Sequence, residues 1–146
     1  MEDFDAIMAM WNLMGVFLIS NAMYFAACAF LIWVGFRFTN NIYNNPDTML
    51  IGKVLTTLFC ISVAMFTFGN MAQFSDLLSD IAGSFAAMKA SGIEIGVAAE
   101  ELIAGTKDAP VINLIQLVFL GSVILMQLAQ ISVSYTHLTL PTTEAV

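Results

Sequence analysis

The stretch AIMAMWNLMGVFLISNAMYFAACAFLIWVGF, residues 6–36, decides the fold. It carries no Asp, Glu, Lys, Arg or His, and only Asn12, Ser20 and Asn21 interrupt it with strongly polar side chains. A soluble core has no use for so long a run, whereas a bilayer takes about 20 apolar residues to cross. Trp11 and Trp33 bracket its middle. On a helix they stand roughly 33 Å apart, about one hydrocarbon thickness, which predicts both rings at headgroup level in opposite leaflets.

Composition extends the same reading to the whole chain. Of its 146 residues, 60% are hydrophobic and 10% charged, and the mean hydropathy is +0.87. A soluble surface of this size needs far more charge. A transmembrane β-barrel would show alternating runs of about ten residues, and none is present. The expectation is an all-α integral membrane protein with three transmembrane helices, over 6–36, 50–72 and 109–132. An extramembrane amphipathic helical hairpin over 73–108 joins the last two, and residues 1–132 form a single helical membrane domain. With 11 acidic against 4 basic residues, the chain lacks the clustered Lys and Arg that nucleic acid demands. It lacks equally the polybasic patch that holds an anionic membrane surface.

The flanks of the first span carry further information. Met1-Glu2-Asp3-Phe4-Asp5 is acidic where a secretory signal is basic, and the apolar run exceeds the about 7–15 residues of a signal core. Phe25-Ala26-Ala27-Cys28 faintly resembles a lipoprotein cleavage box, but the apolar run continues beyond it. The first span is therefore read as retained. On a helical wheel Gly15, Leu18, Ala22, Ala26, Ala29 and Trp33 share a face. Gly15, Ala22, Ala26 and Ala29 are the small residues that let another helix approach closely in lipid, within this chain or from a partner. Asn12 and Asn21 need partners if buried.

Arg37 closes the span, and residues 39–48, with their four Asn and Pro46, read as a turn. Asn45 is placed as the cap of the next helix, Pro46 at its first position and Asp47 against its dipole. On the second span Lys53, Thr56, Cys60, Thr67 and Asn70 fall within roughly 100° of each other, with Lys53 expected to snorkel to the interface. Beyond it, Phe74, Leu77, Leu78, Ile81, Phe85 and Met88 follow helical spacing, with Asp76 and Asp80 on another face. That helix either continues the second span or lies on the surface. Ser91-Gly92 breaks it, and a short helix over 94–104 ends at Gly105. Asp108 then caps the third span with Pro110 in its first turn, and Asn113, Gln116, Gln127 and Gln130 gather within about 100°.

Such stripes face protein or water. They are either interhelical hydrogen-bonding glue or the lining of a polar pathway. Cys28 and Cys60 fall in apolar runs at comparable depth and read as packing residues. A solvated face accounts for Asp76, Asp80, Glu94, Glu100 and Glu101, although carboxylates could also offer oxygen to a hard cation.

Residues 133–142, Val133-Ser134-Tyr135-Thr136-His137-Leu138-Thr139-Leu140-Pro141-Thr142, break from this pattern. They resemble a translated transposase-type sequencing adapter: GTC TCT TAT ACA CAT CTG ACG CTG CCG ACG reads as this run in one frame. The resemblance implies that residues 133–146 are a non-native tail on a chain truncated at its C-terminus. It also removes His137, the sole histidine, from functional reasoning. Without histidine, bis-His haem, His-based zinc and imidazole bases drop out. No phosphate-binding glycine loop or nucleophile elbow is present either, so neither a cofactor nor an enzymatic activity is expected. The leading expectation is an accessory or structural subunit of a larger membrane complex, held to a membrane protein partner or a second copy. The alternative is a channel or transporter protomer. Arg37 and Lys53 concentrate beside the Asn-rich loop, which puts that loop in the cytoplasm of a bacterial or archaeal cell and the N-terminus outside the cytoplasmic membrane.

Overall fold

The computed structural model describes residues 2–45 and 47–136. Among them are four helices and no strand: α1 (Glu2–Asn44), α2 (Leu50–Ala90), α3 (Val97–Thr106) and α4 (Leu114–Thr136). Three of these, α1, α2 and α4, are long and apolar enough to cross a membrane. At about 1.5 Å per residue, the 43 residues of α1 extend about 65 Å, roughly twice a hydrocarbon core of about 30 Å. The 23 residues of α4 reach about 35 Å, close to one thickness.

The chain divides into two compact units, one built from Met1–Ala26 and Phe68–Gln116, the other from Ala27–Thr67 and Leu117–Val146. In the first unit, the core is Ile81, Phe85, Ile95 and Ala99, with Ile7, Met10, Trp11 and Met14 of α1 packed against it. Phe85 is fully buried and its ring lies 5.1 Å from that of Trp11, tilted by 40°. Half-buried Trp11 thus packs its ring against this core.

In the second unit three helices share a core of Ile32, Val63 and Val123. Phe38 meets Phe59 edge-on with centroids 5.4 Å apart, while Ile32 packs with Val63. Numbering thus rises along α1 as it falls along α2, the antiparallel hairpin a short turn requires. The inward positions on α1, Cys28, Ile32, Gly35, Thr39 and Ile42, recur at alternating spacings of four and three, as in left-handed helix packing. On α2, Cys60, Val63 and Thr67 follow at spacings of three and four, with Lys53 one full heptad before Cys60. Ile61, Met65 and Leu125 point outward and are exposed. Polar groups inside and apolar groups outside is the arrangement a lipid environment favours.

Several boundaries differ from expectation, each for a local reason. The turn does not begin at Thr39, because α1 runs on to Asn44. Thr39 and Ile42 are buried by packing, and the Asn44 and Asn45 amides donate back to the Asn40 and Asn41 carbonyls at 2.9 and 2.8 Å. These bonds satisfy the helix end and override the turn preference of Asn. Asn45 is thereby committed to α1 and does not cap α2, which starts at Leu50 with no acidic residue in its first turn. The predicted place of Pro46 lies outside the described residues. Lys53 does not snorkel, since it occupies an inward position at 3% exposure.

Residues 50–72 and the amphipathic stretch after them form one continuous helix. It ends where expected, at Gly92, whose φ of 91° permits a Schellman closure. There Ile93 N–H reaches the Met88 carbonyl at 3.1 Å and Gly92 N–H the Lys89 carbonyl at 3.0 Å. α3 starts later than expected, after Gly96 at φ 79°, and continues through Gly105, so Gly105 is not its terminator. The Thr106 hydroxyl instead bonds the Leu102 carbonyl at 2.8 Å in the last turn. α4 also starts later, at Leu114, leaving Asp108 and Pro110 in the preceding loop. It extends past residue 132 to Thr136, while His137 and the rest of the adapter-like run lie outside the described residues.

Candidate functional site

The polar stripes anticipated on α2 and α4 are divided between the two units. On α4, Asn113 and Gln116 form a capping box: Gln116 N–H donates to Asn113 Oδ1 and Asn113 N–H to Gln116 Oε1, both at 2.9 Å. A short polar residue before the helix and an amide three residues on satisfy two orphan N–H groups reciprocally. These two side chains start the helix, and their amides are engaged in its cap.

Gln127 and Gln130 belong to the second unit. Gln127 is buried at 3% exposure and donates to the Ile32 carbonyl of α1 at 3.3 Å. The Thr39 hydroxyl donates to Gln130 Oε1 and also lies 3.2 Å from the Phe36 carbonyl. Thr67, almost fully buried, bonds the Val63 carbonyl within its own helix at 2.8 Å, and Thr56 is half-buried. Gly35 is the residue sequence reasoning missed. A Cβ there would stand 2.5 Å from Gln127 Nε2 and 3.5 Å from Cys60 Sγ. Only glycine leaves room for the amide to lie across α1. Its inward spacing from Cys28 and Ile32 is the signal that could have found it.

On α1, Ala22, Ala26 and Ala29 are exposed and Gly15 is half-buried, with nothing within 4 Å of a Cβ built at Gly15. In the second unit α1 packs instead through Cys28, Ile32, Gly35, Thr39 and Ile42. Asn12 is exposed, and Asn21 is half-buried.

Asn21 lies in a cleft of the first unit with a volume of about 280 Å³. Phe17, Ser20, Asn21 and Tyr24 from α1 and Asn70, Gln73, Phe74 and Leu77 from α2 line it. Phe17, Ser20, Tyr24 and Gln73 form an exposed rim, whereas Asn70 is buried. Asn70 Nδ2 has no hydrogen-bond partner, alone among the buried side-chain N and O atoms of the described residues. Asn70 belonged to the α2 stripe, but the sequence could not separate it from Thr67, one helical turn away and fully bonded.

The acidic residues lead nowhere comparable. Glu100 pairs with Lys89, both about half-exposed, while Asp76, Asp80, Glu94 and Glu101 are exposed. Among the described residues no group of three His, Cys, Asp or Glu side chains comes together as a metal site. What the side chains offer is hydrogen bonding by neutral amides and hydroxyls in apolar surroundings. Compared with known proteins, the chain matches no family model, no curated protein and no solved structure.

Proposed function

We propose that this chain is a small multi-pass membrane protein that serves as a structural or accessory subunit, packing against another membrane protein through the small-residue face of α1. The observation that carries this reading is the exposure of Ala22, Ala26 and Ala29 on a helix already packed elsewhere. Among lipid tails an apolar face gains little by burial as such, and small residues gain by letting a second backbone come close. The partnered state of Gln127 and Gln130 supports stripes that hold helices together over stripes that line a pathway. Arg37, whose guanidinium lies 5.9 Å from the centroid of the exposed Trp33 ring, marks the cytoplasmic side in this reading, with the N-terminus outside.

The test is co-purification from native membranes in mild detergent. Ala22→Leu or Ala26→Leu should strip a stoichiometric partner, or a second copy of the chain, while leaving helicity unchanged. Retention of the same assembly by both variants would overturn the proposal. Reconstituted vesicles give the contrasting readout: solute flux that Gln127→Leu abolishes would favour a protomer lining a pathway.

A further inference from the structure

We propose that α1 crosses the hydrocarbon of the bilayer only between about residue 20 and about residue 41. Its start, through about Val16, then stands outside the membrane together with α3 and the second half of α2. The ruler is α4. Its apolar stretch, Leu114–Val133, is 20 residues long, about 30 Å and one hydrocarbon thickness. Gln127 donates to the Ile32 carbonyl and Gln130 accepts from Thr39, so α4 runs beside α1 in the same direction. Counting back along both helices from Gln127 to Leu114, and on from Gln130 to Val133, marks off that segment of α1. Arg37 in its last turn and the exposed Asn40, Asn41 and Tyr43 meet the headgroups at one end.

The surface of the first unit fixes the other end. On α2 the exposed Leu58, Ile61, Met65, Phe66 and Phe68 are apolar, and among the described residues no large apolar side chain is exposed between Phe68 and Val97. Gln73, Asp76, Asp80 and Lys89 take over outward positions. Trp11 packs on Phe85, while Ser20, Asn21 and Tyr24 line one cleft with Gln73 and Phe74. Asp76 and Asp80 therefore lie level with the part of α1 between Ser20 and Trp11. Hydrocarbon reaching Trp11 would enclose those carboxylates, the exposed Glu94, Glu100 and Glu101, and the non-helical backbone of 91–96. Neither the charges nor such a backbone belongs against lipid. On the other side of the balance, Phe4, Met8, Leu13 and Val16 are exposed and leave the hydrocarbon. Partly exposed apolar groups in water cost less than charges and unpaired backbone in lipid, so the charges decide. The exposed Ser20, Tyr24 and Gln73 sit at the resulting boundary, where a headgroup layer accepts neutral polar and aromatic groups.

The first span thereby moves from 6–36 to the segment level with α4. This placement rests on the multi-pass reading and is independent of the small-residue contact. Tryptophan depth tests it, in vesicles of phosphatidylcholine brominated near the acyl-chain ends, with helicity checked by circular dichroism. Trp33, left as sole tryptophan by Trp11→Phe, should lose about half its emission or more, because it lies near the hydrocarbon centre. Two further reporters are placed one at a time in the full chain carrying Trp11→Phe and Trp33→Phe. Met65→Trp on α2 should be quenched as Trp33 is. Val16→Trp should keep most of its emission in the brominated lipid and lose it to aqueous acrylamide. Met65 and Val16 are both well exposed, so the larger ring fits without repacking. A span over 6–36 reverses the order, with Val16→Trp deep and Trp33 at the headgroups. Bromolipid quenching of Val16→Trp equal to or above that of Trp33 would overturn the proposal. If no reporter were quenched by the bromolipid, the multi-pass reading itself would fall, and this placement with it.

Discussion

The two units solve the same problem differently. In the second, helix packing pairs buried polar groups between α1 and α4, Gln127 with the Ile32 carbonyl and Thr39 with Gln130, while Thr67 bonds the Val63 carbonyl of its own helix. In the first, a cluster of large apolar side chains around Phe85 and Trp11 holds the long helices to α3, and a polar cleft beside it keeps an amide without a partner. Where hydrocarbon surrounds the protein, a paired amide acts as glue. An unpaired one forgoes that contribution.

The contrast can be broken at its strongest point first. Phe85→Ala should destabilise the first unit by about 3–5 kcal/mol, read as chemical unfolding in micelles through Trp11 fluorescence. A loss below about 1 kcal/mol, the scale of a surface change, would mean that the aromatic cluster does not hold that unit. Gly35→Ala attacks the second unit. Because the new methyl collides with Gln127 Nε2, it should cost about 1–3 kcal/mol by leaving a buried amide unmade. Gln127→Leu in the same background should recover much of that loss. If the double variant were no better than Gly35→Ala, steric pressure on the backbone, not the amide, would be the cause.

Smaller effects sharpen the comparison. Asn113→Ala should cost about 1 kcal/mol through the lost cap and speed hydrogen exchange only in the first turn of α4; exchange unchanged there would restore Asn113 to the polar stripe. Lys89→Ala should shift stability by less than about 1 kcal/mol, with the difference fading in high salt, since the pair with Glu100 is exposed. A salt-insensitive loss would show that Lys89 contributes packing beyond its charge.

Much of the fold is legible along the chain. Three long apolar runs, the break at Ser91-Gly92 and the inward face of Phe74, Leu77, Ile81 and Phe85 can all be read from local periodicity. Helix ends are less legible where packing outweighs residue preference. Thr39 and Ile42 hold α1 helical through a stretch of asparagines because their side chains are buried against neighbours, which no local rule detects. The candidate site is half legible: Asn21 and Asn70 stand out as polar residues in apolar surroundings. That they share one cleft depends on contacts between residues far apart in the chain.

By itself, the sequence determined the helical class, three helices apolar enough to cross a membrane and the set of polar residues that had to find partners. These follow from composition and from periodicity within single helices. Only the tertiary structure decided which of those residues pair. It assigned Gln127 and Gln130 to α1, turned Asn113 and Gln116 into a cap, buried Lys53 and left the buried Asn70 amide nitrogen unpartnered. The reason is physical: a helix's own geometry fixes which side chains share a face, but hydrogen bonding also needs the distance to the facing helix. At Gly35 that distance is set by one missing methyl group.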